Sequence, residues 1–200
     1  MNTTFTSCFR LNLKFKIRIN MKTRLKHFVY LISFSVVSFL AAGCTTANDP
    51  VVNNTIKTNG SLAVKVTTST YNGQYAPRHV IAIWVESSSG TFVKTLLVNA
   101  AARRQDLTSW LNSSSNGNTT DAITGATMNS HTAVSCTWNG TNTSGSVVGD
   151  GTYKLMVEFT ESNGSGKTAS FTFNKGAIAD SQTPSASSGI TVNTLNWTPN

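Results

Sequence analysis

Hydrophobic and polar residues alternate with a period of two along several short runs of the chain. The clearest runs are residues 62–68 (LAVKVTT) and residues 153–160 (YKLMVEFT), and such alternation is typical of β-strands that bury one face. Residues 79–86 (HVIAIWVE) are almost entirely apolar, which predicts a central strand buried on both faces. The pattern also predicts strands at residues 92–98, 132–138, 167–173 and 190–197.

Turn-forming residues separate these runs, and two of the separations are short. Residues 88–90 (SSG) lie between two predicted strands, and residues 163–166 (NGSG) follow the second alternating run. Short connections of this kind predict β-hairpins. About seven short strands with turn signals between them predict an all-β fold, a β-sandwich, over residues 61–200.

One segment departs from the strand pattern. Residues 100–111 (AAARRQDLTSWL) contain helix-forming residues and an apolar cluster of Leu107, Trp110 and Leu111, which predicts a short helix or a helical loop. The very polar residues 112–120 follow, and they predict an exposed loop that can vary without cost to the scaffold. A lone tryptophan in such a segment fills the core more often than it stacks on a cofactor, so we expect Trp110 to be buried.

The first 43 residues have the pattern of an export signal. Lys22, Arg24 and Lys26 precede an apolar run at residues 28–42, and a basic region followed by an apolar run and small residues describes a secretory signal peptide. The run has about 15 residues, fewer than the roughly 20 that span a bilayer as a helix. Further basic residues before Met21 leave two alternatives open, a long basic region or translation that starts at Met21.

A cysteine follows this signal peptide, which we place at residues 1–43. Residues 40–44 (LAAGC) resemble a bacterial lipobox, in which Cys44 is acylated and becomes the new N-terminus. Two or more acyl chains anchor a protein stably, so the resemblance implies a membrane-anchored lipoprotein of the cell envelope that faces the periplasm. The alternative is a short membrane anchor with an incidental cysteine. Thr45 follows the cysteine, which favours the outer membrane, and the polar residues 44–60 predict a flexible tether.

Removal of the signal peptide changes the charge of the chain. The whole sequence has 16 Lys and Arg residues against 8 Asp and Glu residues. Seven of the basic residues and none of the acidic ones precede Cys44, so nine basic and eight acidic residues remain. A nucleic-acid-binding domain carries a strongly basic surface, and we therefore expect no nucleic-acid partner.

Patterns for catalysis or metal binding are scarce after residue 44. Cys136 lies in an alternating run, so we expect a buried thiol and not a nucleophile. His79 and His131 are the only histidines there, and we expect both to be ordinary surface residues. The sequence has no CxxC, HExxH or Gly-x-Ser-x-Gly motif, so it predicts no metal site and gives a hydrolase little support. An electron carrier or a binding module fits better than a turnover enzyme.

Residues 138–153 (WNGTNTSGSVVGDGTY) resemble the W(D/N)G…G…GTY signature of immunoglobulin-like domains such as that of the flagellar hook-capping protein. Trp138 would fill the core between two sheets, and Gly140 and Gly145 would supply the positive φ angles that tight turns need. Tyr153 would begin the next strand. The resemblance implies an immunoglobulin-like β-sandwich and no particular chemistry.

Residues 121–127 (DAITGAT) resemble the Dxx(S/T)GAT signal at which a periplasmic flavin transferase esterifies FMN to the last threonine. The resemblance implies that Thr127 offers the hydroxyl that accepts the phosphoester, and that small neighbouring residues let the backbone enter the transferase. The other positions that it implies for recognition and cofactor binding are Asp121, Thr124, Gly125 and Ala126. The alternative is that residues 124–127 are a turn that leads into the strand ending at Trp138.

Several features together resemble one further family, namely predicted periplasmic proteins of unassigned function found beside flavin transferases and PepSY-type membrane proteins. The shared features are the apolar strand at residues 80–85, a Phe-Val-Lys-Thr-Leu run at residues 92–96, the Trp110 segment, the DAxTGAT stretch and the WxG…GxY…VE ending. They span residues 61–173. Many members continue after the GAT with Arg-Pro-Pro-Gly-like residues, whereas this chain has residues 128–131 (MNSH).

Two functions remain as alternatives. The family resemblance implies a setting near membrane redox systems, so the leading hypothesis is a lipid-tethered carrier of covalent FMN that takes part in extracytoplasmic electron transfer. Its partners would be a flavin transferase and a PepSY-type membrane redox protein. The alternative is a non-catalytic immunoglobulin-like binding or assembly module of the cell envelope, since a fold alone does not decide between functions.

Overall fold

Two β-sheets packed against each other form the domain. The structure is a computed structural model, and it describes residues 56–200. The signal peptide, the lipidation site at Cys44 and most of the expected tether therefore lie outside the described residues. The strands are β1 (Gly60–Thr68), β2 (Val80–Ser87), β3 (Phe92–Asn99), β4 (Ile123–Gly125), β5 (Val134–Trp138), β6 (Gly151–Thr160), β7 (Lys167–Lys175), β8 (Asp180–Gln182) and β9 (Ile190–Pro199). A 3-10 helix (Arg104–Asp106) and a helix α1 (Thr108–Ser113) lie between β3 and β4.

The strands pair in the orders β5-β1-β9-β8 and β4-β3-β2-β6-β7. All neighbours are antiparallel except β3 and β4, which run parallel. The hairpins predicted across residues 88–90 and 163–166 are confirmed as β2–β3 and β6–β7. The predicted all-β sandwich with one short helical insertion is thus confirmed.

The core between the sheets is built from the alternating apolar positions of both. Trp138 and Trp197 contribute from one sheet and Phe159 and Phe173 from the other, and all four are buried. The indole nitrogen of Trp138 donates a hydrogen bond to the carbonyl of Thr141 at 2.7 Å, because a buried N–H needs a partner. The expected core position of Trp138 is confirmed. Gly140 and Gly145 have the positive φ angles expected of them, 74° and 78°.

A second apolar cluster covers the outer face of the five-stranded sheet. Leu107 and Trp110 from the helical insertion pack there on Trp84 and Val98. This cover explains why β2 is apolar along its whole length, and it confirms the predicted burial of Trp110. Glu158 fixes the insertion, because its carboxylate accepts hydrogen bonds from the backbone N–H groups of Ser109 and Trp110 at 3.1 and 2.8 Å.

The structure differs from the sequence prediction at the start of the domain and at one edge of each sheet. Two three-residue strands, β4 and β8, were not predicted. The tether was expected to reach residue 60, but β1 begins at Gly60 and Thr58 is already bound to the domain. The backbone N–H and hydroxyl of Thr58 donate to the carboxylate of Asp150 at 2.8 and 2.6 Å. The ordered domain therefore begins before Gly60.

Candidate functional site

The DAITGAT segment lies at an edge of the five-stranded sheet. Its middle residues form β4, which pairs with β3 and has no second neighbouring strand among residues 56–200. Asp121 and residues 123–126 are exposed, and Thr127 is half-buried. The segment is thus an exposed strand edge, where the sequence had suggested a loop or a turn.

A close approach to the side chain of Asn99 explains the glycine of this segment. A Cβ atom at Gly125 would collide with Oδ1 of Asn99 on the neighbouring strand β3. The carbonyl of Gly125 accepts a hydrogen bond from the backbone N–H of Ala100 at 3.1 Å. Gly125 therefore has a structural role in docking β4, in addition to the recognition role that the motif implies.

Two sets of hydrogen bonds hold Thr127 in place, one made by the next residue and one made by its own hydroxyl. The residue after it, Met128, forms a two-hydrogen-bond bridge with His79, at 3.0 and 2.9 Å. The hydroxyl of Thr127 accepts a hydrogen bond from the backbone N–H of Ala102 at 3.2 Å and donates to the carbonyl of Ala102 at 3.4 Å. The Thr127 oxygen is therefore fixed against the chain that follows β3.

Two arginines share a cavity with this hydroxyl. The cavity, here called the Thr127 cavity, has a volume of about 270 Å³, and its lining includes Thr127, Tyr75, Arg78 and Arg103. The guanidinium of Arg103 stacks 4.3 Å from the centroid of the Tyr75 ring and donates from Nη1 to the carbonyl of Ser162 at 3.0 Å. Its Nη2 is buried and has no hydrogen-bond partner within residues 56–200. The cavity is therefore lined by positive charge.

Other residues of the 100–104 segment line a second cavity. This cavity, here called the Gly125 cleft, has a volume of about 460 Å³ and is lined by Val98, Ala100, Ala101, Arg104, Thr124 and Gly125. The guanidinium of Arg104 lies 4.9 Å from the ring centroid of Trp110 and donates to the carbonyl of Gly117 at 2.6 Å. The cleft thus combines small apolar side chains with one cation at its wall.

The first residue of the motif is separate from both cavities. The carboxylate of Asp121 pairs with the buried Nζ of Lys94 at 3.0 Å, while the Asp121 side chain keeps 70% of its surface exposed. Lys94 also donates to the hydroxyl of Thr141 at 3.2 Å. Asp121 is thus an exposed, oriented carboxylate, and the structure brings Thr124, Gly125 and Thr127 together around residues 100–104 but leaves Asp121 apart.

Sequence reasoning missed a buried polar cluster next to Thr127. The rings of His79 and His131 stack in parallel with centroids 4.3 Å apart. The Thr68 hydroxyl lies 3.2 Å from Nε2 of His79 and 2.7 Å from Nδ1 of His131. Nε2 of His131 lies 2.7 Å from the buried carboxylate of Glu161. The expectation that both histidines are ordinary surface residues is wrong for His79, which is fully buried, and for His131, which is mostly buried.

The hydrogen bonds of this cluster place two of its ring protons. Nδ1 of His79 lies 3.2 Å from the carbonyl of Pro77, an acceptor, so Nδ1 carries a proton. Nε2 of His131 faces the carboxylate of Glu161 and donates to it. Burial lowers the pKa of His79, which favours a neutral His79 ring whose Nε2 accepts from the Thr68 hydroxyl.

The pKa of Glu161 reflects the same arrangement. Burial raises the pKa of this carboxyl group, but hydrogen bonds from Gly73, Thr70, Tyr71 and His131 outweigh burial and bring it to about 2. The Thr–His–Glu order resembles a nucleophilic triad in geometry. However, Thr68 is only 3% exposed, so its hydroxyl does not face a substrate, and the cluster is a structural one.

The remaining expectations about catalytic groups concern Cys136 and metals. Cys136 is buried, as expected, and burial raises its pKa to about 12. Residues 56–200 contain no group of three or more His, Cys, Asp or Glu side chains that could hold a metal ion. Within the same residues no helix is long and apolar enough to cross a membrane.

Comparisons with known proteins give one match. A comparison with curated proteins finds none, and a comparison with solved structures finds none either. A family described as predicted periplasmic protein (DUF2271) matches residues 61–190, from the start of β1 to the start of β9. The match includes Asp121, Thr127 and both cavities around residues 100–104. The chain therefore belongs to the DUF2271 family of predicted periplasmic proteins.

Proposed function

We propose that this periplasmic protein carries FMN as a phosphoester on Thr127 and passes electrons at the surface of a membrane to which it is anchored through Cys44. The observation that carries the proposal is the placement of the DAITGAT segment. The segment forms an exposed sheet edge, and its last threonine presents a hydroxyl to a cavity lined by Arg78 and Arg103. A transferase would meet a strand edge without a partner on its outer side.

The groups around Thr127 fit a phosphate ester. A phosphodiester is an anion with acceptor oxygens, and arginine is the side chain that best matches phosphate geometry. Two arginines line the cavity, and one of them, Arg103, has a buried nitrogen without a partner. The backbone N–H of Ala102 donates to the Thr127 oxygen, and this contact survives esterification because it uses the oxygen as an acceptor.

The attachment step balances with a flavin dinucleotide as donor. The Thr127 oxygen attacks the phosphorus that bears the flavin, the bond between the two phosphates breaks, and adenosine monophosphate leaves. The hydroxyl proton goes to a base of the transferase. When bound, the isoalloxazine supplies the electron-transfer chemistry, and the protein supplies the position, the charge and the tether. A PepSY-type membrane protein would be the redox partner.

Co-expression with a flavin transferase tests the attachment. We expect flavin fluorescence that survives a denaturing gel and an intact mass increased by one FMN group. Thr127→Ala should abolish both signals. Thr132→Ala is the matched control and should leave both signals unchanged, because Thr132 is an exposed threonine five residues further along the same connection to β5.

A wild-type chain without covalent flavin in the presence of a competent transferase would contradict the proposal. The DAITGAT segment would then be only an edge strand and its following turn, and the immunoglobulin-like binding or assembly module would become the better hypothesis. The anchor is tested separately by metabolic labelling with a radioactive fatty acid. The label should appear in the wild type and be absent from Cys44→Ser, and a labelled Cys44→Ser protein would refute lipidation at Cys44.

A further inference from the structure

Residues 100–104 contribute to the walls of both cavities described above, and so does the DAITGAT segment. Thr127 lines the Thr127 cavity, whereas Thr124 and Gly125 line the Gly125 cleft. We propose that the two cavities together form the FMN site, with the phosphate in the Thr127 cavity and the isoalloxazine ring in the Gly125 cleft. This inference rests on the proposed function.

Arg78 and Arg103 line the part of the site that would hold the phosphate. Arg78 is exposed and makes no salt bridge within residues 56–200. Arg103 is fixed by Tyr75 and by the carbonyl of Ser162. Arg78 therefore supplies an exposed positive charge, unpaired among the described residues, that an attached phosphate would meet.

The ring end of the site is shaped by small residues. Ala100 and Ala101 on one side and Gly125 on the other line the cleft, and their short side chains leave a flat ring free to lie against the backbone. Val98 adds apolar surface for the hydrocarbon part of an isoalloxazine. The cleft volume of about 460 Å³ falls within the range typical of small-molecule sites.

Arg104 would adjust the redox properties of a ring in this cleft. Its guanidinium lines the cleft and is held by the Trp110 ring and the carbonyl of Gly117. Reduction increases the negative charge on the flavin, and a nearby fixed cation favours the more negative form. Arg104 should therefore raise the reduction potential of the bound FMN.

The distance between the two cavities suits the linking arm of FMN. Thr127 follows Thr124 by three residues, and three residues of extended chain span at most about 11 Å. A phosphate attached at Thr127 is joined to the ring by a five-carbon ribityl chain, which covers a separation of this order. The ring can thus lie beside Thr124 and Gly125 while the phosphate remains at Thr127.

The test uses the full chain co-expressed with a flavin transferase, as wild type, Arg78→Gln, Arg104→Gln and Lys65→Gln. Lys65 is an exposed cation on β1 of the other sheet and is the matched control. Three quantities are measured on each protein: FMN content by intact mass, midpoint potential by spectroelectrochemistry, and quenching of flavin fluorescence by acrylamide.

We expect full FMN content in all four proteins. In Arg104→Gln the ratio of reduced to oxidised flavin at a given potential should fall about tenfold, which corresponds to a midpoint potential about 30 mV lower for a two-electron couple. In Arg78→Gln, acrylamide quenching should increase at least twofold, because a less firmly held phosphate lets the ring leave the cleft. Lys65→Gln should match the wild type in all three measurements.

Two results would overturn the inference, and they differ in what they say about the proposed function. Flavinylated proteins with identical potentials and identical quenching would place the ring outside the cleft and leave the proposed function standing. A wild-type protein without covalent FMN would remove both. Arg78 is exposed, so Arg78→Gln should fold normally and keep the quenching result interpretable even if Arg104→Gln proves unstable.

Discussion

Acid should destabilise the domain chiefly through the buried carboxylate of Glu161. One of its oxygens accepts hydrogen bonds from the backbone N–H groups of Tyr71 and Gly73 at 2.9 and 3.1 Å. The other faces His131 at 2.7 Å. Protonation of Glu161 would turn an acceptor surrounded by donors into a group with a proton of its own, so the folded state strongly favours the carboxylate.

The magnitude follows from the pKa of this group. Burial raises the Glu161 pKa, but the hydrogen bonds outweigh it and lower the pKa from the model-peptide value of 4.5 to about 2. At about 1.4 kcal/mol for each pH unit, Glu161 contributes about 3 kcal/mol to the free energy of unfolding at neutral pH. Because the folded pKa is depressed, this contribution is present above pH 4.5 and is lost as the pH falls to about 2. His79, whose pKa burial lowers from 6.5, acts in the same direction from about pH 6.5 downwards.

The assay is urea unfolding followed by tryptophan fluorescence at several pH values between 7 and 2.5. Glu161→Gln should lower the free energy of unfolding at pH 7 by about 2–3 kcal/mol, since it weakens charge-assisted hydrogen bonds. It should also flatten the loss of stability below pH 4.5. The matched control is Glu158→Gln. Burial raises the pKa of Glu158 against four hydrogen bonds that lower it, so its contribution is present below pH 4.5 and decreases as the pH rises through the folded pKa.

The two variants should therefore change the pH profile in opposite directions. In the wild type, the free energy of unfolding should fall steeply below pH 4.5; we call this part of the profile the acid limb. Glu161→Gln should lose the acid limb. Glu158→Gln should instead make the free energy of unfolding rise more steeply between acid and neutral pH. The reasoning would be refuted if Glu161→Gln kept the acid limb of the wild type. It would also fail if both variants changed the limb in the same way, because a general effect of losing a buried carboxylate would then explain the data.

Three further predictions concern the packing around the candidate site. Gly125→Ala should lower the free energy of unfolding by about 1 kcal/mol in thermal denaturation, because the added Cβ displaces the end of the Asn99 side chain. Asn99→Ala should restore most of this loss, and no rescue would mean that the clash is not the cause. Trp110→Ala should cost about 3–5 kcal/mol in urea unfolding, because this fully buried indole closes the outer apolar cluster, and a cost below 1 kcal/mol would contradict that packing. Cys136 should remain unmodified by a thiol reagent in the native protein and react fully in urea; rapid native labelling would show that the thiol is accessible.

The regular strands were predictable from the sequence because each buries a recognisable pattern. The alternation along β1 and β6 and the apolar β2 mark their positions within one or two residues. The short strands β4 and β8 have three residues each, too few for a periodic pattern. β4 also pairs in parallel with β3 across the helical insertion. Its Ile-Thr-Gly sequence contains no local pattern that would predict pairing with a strand so much earlier in the chain.

The motif of the candidate site was predictable from the sequence, but the side chains that surround it in the fold were not. The DAITGAT spacing identifies Thr127, yet the arginines beside it come from distant segments. Arg78 precedes β2, and Arg103 lies in a left-handed conformation with φ of 61° after β3. The two histidines are 52 positions apart in the sequence and meet because Met128 bridges to His79 and carries the following residues to the same side. Such a cluster depends on tertiary contacts and leaves no signal in a single sequence.

The placement of Thr127 suits two demands that the proposed covalent FMN would make on this protein. The segment would have to reach the active site of a transferase, and afterwards it would have to hold the cofactor in a constant position. β4 has three exposed residues paired on one side, so its local opening requires the loss of few contacts and lies at the low end of the free energies of local unfolding. β2 and β3 remain folded during such an opening, and the bridge between Met128 and His79 is anchored by a buried residue. The segment can therefore open at β4 while its far end stays attached to the domain, and on closing it can re-form the hydrogen bond from the backbone N–H of Ala100 to the carbonyl of Gly125.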